Sequence, residues 1–273
     1  MAAPVIALLT DFGLHDTYVG ELKGAILTVN PVVIIVDITH DVPPQDIQAG
    51  AYLLANAAPA FPAGTVYVAV VDPGVGSDRR PILVETPQGA FIGPDNGLFT
   101  RIIWPDADDT PSTPTLAPLP PTVRAWHLTN PAYRRAHVTN TFHGRDIFAP
   151  AAAYYAAGVP ASQLGDPATS LWRLSFPLPK LEAGAVTGEV IHVDHYGNLV
   201  TNIHASMLPP VATVEIATHR IEGLSAHYDT TRPLVAIVGS QDTLEIAKPE
   251  GSAAQALGIG RGELVRVTSS RSP

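Results

Sequence analysis

The sequence predicts an α/β N-terminal domain with a mostly parallel, helix-covered sheet, followed by a smaller all-β domain that is antiparallel or barrel-like. In the first part of the chain, strand-like runs alternate with segments whose apolar residues recur at helical spacing. These strand-like runs are continuously apolar, which favours strands covered by helices on both faces. Beyond residue 186 the helical pattern largely ends, and short strand-like runs follow one another.

The predicted N-terminal domain covers residues 1–178. Val19, Leu22 and Ile26 lie at helical spacing, and Pro43 and Pro44 stand just before a second helical pattern. Strands are predicted at 5–9, 32–38, 65–71, 82–85 and 90–92, and helices at 18–29, 46–57 and 146–157. Residues 105–122 are rich in proline and threonine and are predicted to form an inserted loop, in part disordered.

The predicted C-terminal domain covers residues 186–273 and follows a linker-like stretch at 177–186. Strands are predicted at 188–193, 199–203, 213–217, 234–238, 244–247 and 264–268. The even spacing of these short runs indicates a small antiparallel sheet or barrel.

The composition excludes several classes of protein. The chain has 273 residues, of which 15% are charged, and a net charge of −9. This argues against nucleic acids and anionic membranes as partners, because both attract clustered Lys and Arg. The absence of cysteine excludes disulfides, thiolate catalysis and zinc–thiolate sites. No apolar run approaches the roughly 18 residues of a spanning helix, and the first residues lack a basic leader, so a cytoplasmic location is expected.

The segment from Val70 to Arg80 carries the strongest chemical signal. A buried-strand pattern ends directly on Asp72, two glycines and the pair Arg79–Arg80. In α/β sheets, ligands bind at the carboxyl ends of the strands, and glycines let the backbone approach a ligand closely. The simpler interpretation is a strand-ending turn with a surface ion pair.

Similar polar clusters stand at other strand or helix boundaries. Five such clusters in one chain are difficult to explain by turn chemistry alone. They are Thr10-Asp11-Phe12-Gly13 with Asp16, Asp72 with Arg79 and Arg80, Gly93-Pro94-Asp95-Asn96-Gly97, Phe142-His143-Gly144-Arg145-Asp146, and Asp194-His195-Tyr196-Gly197-Asn198.

Three familiar site types fit these clusters poorly. The Asp-Phe-Gly run lacks the other protein-kinase motifs, and the glycines after Asp72 are not followed by the Gly-Lys-Ser/Thr of a P-loop. A metal site is conceivable because His192, Asp194 and His195 are ligand types. However, His195 would point to the opposite strand face from the other two. No metal is therefore predicted.

Taken in chain order, the motifs resemble the S-adenosylmethionine hydrolases, also called SAM hydroxide adenosyltransferases, which are relatives of fluorinase and chlorinase. The resemblance spans nearly the whole chain, with the insertion at 105–122 as the exception. It is carried by the five clusters and by Leu244-Glu245-Ile246-Ala247. It implies a two-domain fold and attack of water or hydroxide on the ribose C5′ of S-adenosylmethionine, which gives adenosine and L-methionine without a cofactor. It also implies a homotrimer whose active sites lie between the N-terminal domain of one subunit and the C-terminal domain of the next.

The resemblance assigns catalysis to Asp72, Arg79 and His143. Arg79 is preferred to Arg80 because the family spaces this arginine seven residues after the aspartate. Since the sulfonium is already a good leaving group, the site chiefly has to hold a water in line with the C5′–S bond. Either His143 or Asp72 can take the proton, and the sequence leaves that choice open.

The resemblance assigns further residues to substrate binding. Asp11 matches the carboxylate that binds both ribose hydroxyls. The remaining positions follow the family's substrate contacts: Asp16, Asp194 and Ser240 around the methionine ammonium and carboxylate, Asn198 at the same end, and Phe142 and Tyr228 as aromatic walls for ribose and adenine. Tyr228 is equally compatible with a core position.

Departures from the halogenating relatives favour hydrolysis. Fluorinase has Tyr where this chain has Asp72 and Ser where it has Gly144, and an anionic Asp72 would repel a halide. Gln241 replaces an Arg of fluorinase near the substrate carboxylate, so the methionine-end contacts differ. Three alternatives stay open: a protein that binds or senses an adenosyl ligand with weak turnover, a halogenase, and a metal-dependent hydrolase.

Overall fold

The computed structural model describes residues 3–105 and 111–269. The chain divides into two compact units, Met1–Phe176 and Pro177–Pro273. Among the described residues, no helix combines the length and the hydrophobicity needed to cross a bilayer.

The first unit contains a seven-stranded sheet with the strand order β2-β1-β3-β5-β4-β7-β8, and a separate pair β6-β9. Its strands are β1 Val5–Thr10, β2 Ile34–Thr39, β3 Thr65–Val70, β4 Pro81–Glu85, β5 Gly89–Pro94, β6 Thr115–Pro118, β7 Arg124–His127, β8 Asp166–Ala168 and β9 Ser170–Arg173. Its α-helices are α1 Tyr18–Val29, α2 Ile47–Ala57, α3 Thr100–Ile103, α4 Ala149–Ala156 and α5 Ala161–Leu164. A π-helix, Gly144–Phe148, leads directly into α4.

Helices cover both faces of the central strands. On β1, Ile6 and Leu8 pack in one core cluster with residues of α1 and α4. Ala7 and Leu9 point to the other face, into a cluster with residues of α2. This explains why the strand reads as continuously apolar: each face of β1 is covered.

The sheet is mixed, and the prediction of a mostly parallel sheet was wrong for its second half. The pairs β2–β1, β1–β3 and β3–β5 are parallel, whereas β5–β4, β4–β7 and β7–β8 are antiparallel. The turn between β4 and β5, closed by hydrogen bonds between Thr86 and Gly89, is too short for the crossover that a parallel pair needs.

The proline-rich segment is not a loop throughout. Thr115–Pro118 forms β6 and pairs antiparallel with β9, so the loop prediction was wrong there. This strand depends on a partner more than 50 residues away, which local composition does not reveal. The part of the prediction that falls on residues 106–110 lies outside the described residues.

The second unit is a nine-stranded β-sheet that forms a nearly closed, barrel-like structure. Its strand order is β14-β13-β18-β11-β12-β17-β16-β15, with β10 beside β11, and β15–β16 is a parallel pair among antiparallel neighbours. The strands are β10 Lys180–Glu182, β11 Ala185–Val193, β12 Leu199–His204, β13 Ala212–Ile216, β14 His219–Glu222, β15 Leu224–Ser225, β16 Val235–Val238, β17 Thr243–Ala247 and β18 Leu264–Ser269. One short helix, α6, spans Ala253–Leu257.

Candidate active site

The polar site of the first unit lies where β1 and β3 end. These strands are parallel neighbours with Thr10 opposite Val70, so Asp11 and Asp72 emerge at the same sheet edge. Asp11 accepts a hydrogen bond from the Gln45 N–H at 2.8 Å. Burial raises the pKa of Asp11, and the negative charge of Asp72 raises it further. The hydrogen bond from Gln45 lowers this pKa but does not cancel the rise. The two carboxylates therefore influence each other electrostatically.

Arg79 joins Asp72 to His143. Its Nε lies 2.9 Å from Asp72 Oδ1 and 3.0 Å from Oδ2, and its Nη2 also donates to Asp72. The same Nη2 lies 2.8 Å from His143 Nδ1. The Asp72 side chain is 5% exposed and that of Arg79 is 9% exposed, so this pair is largely shielded from solvent screening. The structure thus brings the three predicted catalytic residues together.

The contact with Arg79 defines the protonation state of His143. A guanidinium can only donate, so Nδ1 must accept, and the neutral ring then carries its proton on Nε2. Burial lowers the pKa of His143, and the positive charge of Arg79 lowers it further, whereas the charges of Asp72 and Asp146 oppose the shift. His143 is therefore a neutral hydrogen-bond donor at neutral pH.

One guanidinium nitrogen of Arg79 takes no part in the contacts with Asp72 and His143. Arg79 Nη1 is buried and has no hydrogen-bond partner among the described residues. A buried guanidinium nitrogen without a partner is costly, because it has lost its hydration without replacement. It is a ready donor for an oxygen that enters the site.

Arg80 makes different contacts. Its guanidinium donates to Asp95 Oδ2, at 2.9 Å from Nε, and to the Ser170 carbonyl at 2.8 Å. Asp95 also accepts from the Trp172 N–H at 2.9 Å, which ties β5 to β9. The cluster around Asp95 therefore has a structural role, and of the two arginines the structure brings Arg79 to Asp72 and His143.

Two glycines allow the loops of the site to pack closely. Gly76 has φ +81°, and a Cβ there would lie 2.4 Å from the Asn140 carbonyl oxygen. The loop between β3 and β4 therefore lies directly against the segment before His143. At Gly144, a Cβ would lie 3.2 Å from the Phe12 ring and 3.3 Å from the Phe142 ring. The two loops are thus in backbone contact at Gly76.

An aromatic group adjoins the polar site. Phe142 packs edge-on against Phe12, with ring centroids 5.6 Å apart, and against Tyr18 at 5.3 Å. A cavity of about 440 Å³ lies beside them. Phe142 is thereby placed as a wall of this cavity, whereas Asp16 is exposed in the segment between β1 and α1.

A buried carboxylate fixes the segment that carries His143. Asp146 is fully buried and accepts hydrogen bonds from Arg145 Nε at 2.7 Å and from the Thr139 hydroxyl at 2.7 Å. Burial raises its pKa, but the bonds from Arg145 and Thr139 outweigh that effect and lower the pKa to about 2. Asp146 stays ionised and holds both sides of this turn together.

The remaining predicted residues belong to the second unit. Asp194 and Asn198 close a tight loop after β11, with Asn198 N and Nδ2 donating to the two oxygens of Asp194 at 2.8 Å each. Gly197, at φ +81°, makes this loop feasible, because a Cβ would lie 2.0 Å from Ser252 Oγ. Asn198 is buried, and its visible role is to orient the Asp194 carboxylate.

A cavity of about 680 Å³ lies next to this loop. Its walls include Asn198 and Tyr228, together with Tyr196 and the residues 248–252. Tyr228 is half exposed, so it is no core residue, and it offers an aromatic face to a ligand.

A second carboxylate accompanies Asp194, and in the sequence it stood only within the motif Leu244-Glu245-Ile246-Ala247, with no predicted role of its own. Glu245 on β17 is 8% exposed, and burial followed by the negative charge of Asp194 raises its pKa. A Cβ on Gly239 would lie 1.8 Å from Glu245 Oε1, so a larger residue there would displace this carboxylate. Ser240 is exposed in the adjoining turn between β16 and β17. A charged residue inside the apolar run of β17 was the available signal.

No metal cluster emerges from these residues. Among residues 3–105 and 111–269, no group of three or more His, Asp or Glu side chains is placed to hold a metal ion. In particular, His192, Asp194 and His195 do not form such a group.

A buried Asp–Arg–His set at the carboxyl ends of parallel strands is typical of an α/β enzyme. Residues 6–165 match the SAM hydroxide adenosyltransferase N-terminal domain, and residues 188–266 match the corresponding C-terminal domain. The chain belongs to the SAM hydroxide adenosyltransferase family.

Individual relatives agree with this assignment. The chain is 39% identical to an (R)-S-adenosyl-L-methionine hydrolase of Salinispora tropica over 272 residues, which cover 97% of this chain and 98% of the relative. It is 28% identical to a fluorinase of an Actinoplanes species over 232 residues, covering 75% and 73%. A crystal structure of an uncharacterized conserved protein from Thermotoga maritima aligns with a TM-score of 0.85 and 32% identity, covering 96% of this chain and 99% of that one.

Proposed function

We infer that the protein hydrolyses S-adenosyl-L-methionine to adenosine and L-methionine. The observation that carries this function is the set formed by Asp72, Arg79 and His143, buried at the end of β3. The named hydrolase from Salinispora tropica, similar over nearly its whole length, supports the same reaction. An aspartate at position 72 also suits water better than a halide, because its negative charge repels anions.

The reaction is a displacement at a carbon atom. A water oxygen forms a bond to the ribose C5′ while the C5′–S bond breaks. The electron pair of the C5′–S bond stays on the sulfur, which becomes the uncharged thioether of methionine. Arg79 Nη1 donates a hydrogen bond to this water, which gives the buried nitrogen a partner. No cofactor or metal is required, because the sulfonium leaves as an uncharged thioether.

Asp72 takes the proton. His143 Nδ1 is occupied by Arg79, so the ring has no free lone pair for the water. A carboxylate is in general a weak base, but a water that has bonded to carbon is a far stronger acid than a carboxylic acid. A weak carboxylate is therefore sufficient. His143 holds Arg79 in place and presents its Nε2–H.

The substrate's two ends have matching surroundings. Asp11 binds the ribose hydroxyls, and Phe142 lies against the ribose. The cavity at Tyr228 takes adenine. The paired carboxylates Asp194 and Glu245, with Ser240 nearby, bind the methionine ammonium, since two acidic groups suit a cation.

We further propose a homotrimer with composite sites, each using the first unit of one subunit and the second unit of the next. This proposal follows from the family resemblance. It explains why one chain can carry the catalytic set and the second group of substrate residues on separate units. The cytoplasmic location stays a prediction.

Product analysis tests the function. Purified protein is incubated with S-adenosylmethionine in the presence of a strong chelator, and adenosine and methionine are followed by chromatography. In water labelled with heavy oxygen, the label should enter the adenosine 5′-hydroxyl. Products that form only with a halide would favour a halogenase. Loss of activity in the chelator would favour a metal-dependent hydrolase. Substrate binding without release of adenosine would favour a sensor.

Replacing Asp11 by Ala should weaken substrate binding by about 1.5–3 kcal/mol, the range for hydrogen bonds to a charged group. Two ribose hydroxyls would lose their common acceptor. The affinity for adenosine, measured by calorimetry, and the KM for S-adenosylmethionine should change together. Unchanged values of both would contradict the ribose role of Asp11.

The rate should withstand mild acid. Since His143 has a pKa below the ordinary 6.5, it stays neutral as the pH falls through that value, and it gains a proton only at lower pH. We expect kcat to stay level from pH 8 to 6.5 and to fall below that range, when a protonated Nδ1 can no longer accept from Arg79. A fall centred at or above pH 6.5 in single-turnover measurements would contradict this protonation state.

A further inference from the structure

A buried histidine outside the catalytic set supports the turn that carries Asp11. His40 follows β2 directly and is 3% exposed. Its carbonyl oxygen accepts from the Gly13 N–H at 2.8 Å, and its ring Nδ1 lies 2.8 Å from the Thr10 hydroxyl. The residues on both sides of the Asp11–Phe12 turn are therefore bonded to the same residue, His40.

Thr10 transmits this support to the turn. It is fully buried, and its Oγ1 accepts from the Phe12 N–H at 3.2 Å, which closes a hydroxyl turn around Asp11. The hydroxyl proton of Thr10 can then be donated to His40 Nδ1. This fixes the rotation of the hydroxyl and leaves the ring proton on Nε2.

Asp37 lies on the far side of the ring. Its Oδ1 is 3.2 Å from His40 Nε2, close enough for electrostatic attraction though outside good hydrogen-bonding geometry. Its Oδ2 accepts from Lys23 Nζ at 2.6 Å. An aspartate on this side favours the tautomer with the proton on Nε2, which is the form that accepts from Thr10.

We propose that His40 is a positioning residue for substrate binding, and that it acts through Thr10 on the orientation of Asp11. Neither His40 nor Thr10 is exposed, so neither contacts substrate directly. Asp11 has a second anchor in the Gln45 N–H. The proposal rests on the proposed function, in which Asp11 binds the ribose. If His40 acts in this way, a buried contact between the ends of β1 and β2 controls the affinity for ribose.

The first test removes the Thr10 hydroxyl. Valine has nearly the same shape as threonine but no hydroxyl. In Thr10→Val, KM for S-adenosylmethionine should rise at least about fivefold, the size expected when buried polar groups lose their partner. The kcat should stay within about twofold of the wild-type value. Thr10→Ser should restore KM. The matched control is Thr65→Val at the start of β3, the end away from the site. This change removes a buried hydroxyl that donates to the Pro62 carbonyl, and it should leave KM unchanged.

The second test changes the ring. His40→Leu should raise KM as Thr10→Val does, whereas His40→Asn, whose carbonyl can accept from Thr10, should recover a large part of the affinity. Adenosine binding, measured by calorimetry, should follow the same order.

Three results would separate the possible failures. An unchanged KM in Thr10→Val, or an equal rise in Thr65→Val, would overturn the positioning role while the hydrolase function stands. A wild-type protein that binds adenosine but releases none from S-adenosylmethionine would contradict the hydrolase function. If its adenosine affinity still falls in Thr10→Val and recovers in Thr10→Ser, the positioning role stands.

Discussion

Replacing Arg79 by Lys is expected to lower kcat by a factor on the order of 10² to 10³, the usual loss when one donor to a reacting oxygen is removed. Lysine keeps the positive charge but offers a single nitrogen. It cannot hold both oxygens of Asp72, reach His143 and donate to the water at the same time. The geometry of the guanidinium, more than its charge, is therefore what the reaction needs.

The neighbouring arginine provides the matched control. Arg80→Lys makes the same chemical change one residue along the chain, but Arg80 pairs with Asp95 and the Ser170 carbonyl. We expect this variant to lose thermal stability while kcat stays within about threefold, because Arg80 does not contact the catalytic set. Steady-state kinetics and thermal unfolding of both variants measure the difference. Equal losses of kcat would contradict the assignment of Arg79 to the water.

Two inactive variants should restore activity when they assemble together. Asp72→Ala damages the first unit and Asp194→Ala the second, and each variant alone should be nearly inactive. If each site combines the first unit of one subunit with the second unit of the next, a trimer that contains both variants keeps about one third of its sites intact, because one of its three interfaces pairs two undamaged units. Mixed oligomers should therefore regain about that fraction of wild-type activity.

The experiment requires proof of mixing. The two variants are co-expressed with different tags, purified through both tags in sequence, and assayed for adenosine release. Light scattering should give a mass of about three chains of 28.7 kDa each. Mixed oligomers without activity would show that each site lies within one chain, and a different mass would contradict the trimer.

Local sequence patterns were sufficient for the first half of the sheet. The helix predicted at 18–29 coincides with α1, because three apolar residues at helical spacing face the core. The strand at 65–71 corresponds to β3, whose residues are all buried. In these elements the pattern depends on burial by near neighbours, so it is visible in the chain itself.

The missed strands depend on distant partners. β6, β7 and β8 have three or four residues each, and their pairing partners lie some 40 to 60 residues away in the chain. Their residues have no strong alternation of their own. For this reason β7 and β8, which extend the antiparallel half beyond β4, were not predicted, and the sheet was taken as mostly parallel.

The site was predicted unevenly for a similar reason. Family spacing selected Arg79, and the structure brings it to Asp72 and His143. The partner of Arg80 was not predictable, because Asp95 reaches it across the hairpin of β4 and β5. Glu245 was given no role, because its place in a strand gave no sign of its proximity to Asp194.

The π-helix that follows His143 makes the site sensitive to chain length. A π-turn accommodates one residue more than an α-turn, and here it spans Gly144–Phe148 before α4 begins. Deleting one residue would allow a regular helix and rotate His143 by about 100° around the axis, the angle per residue of an α-helix. Such a deletion would remove the imidazole from Arg79 while preserving every catalytic residue. In comparisons among family members, a one-residue gap at this place is therefore a better warning of lost hydrolysis than most substitutions.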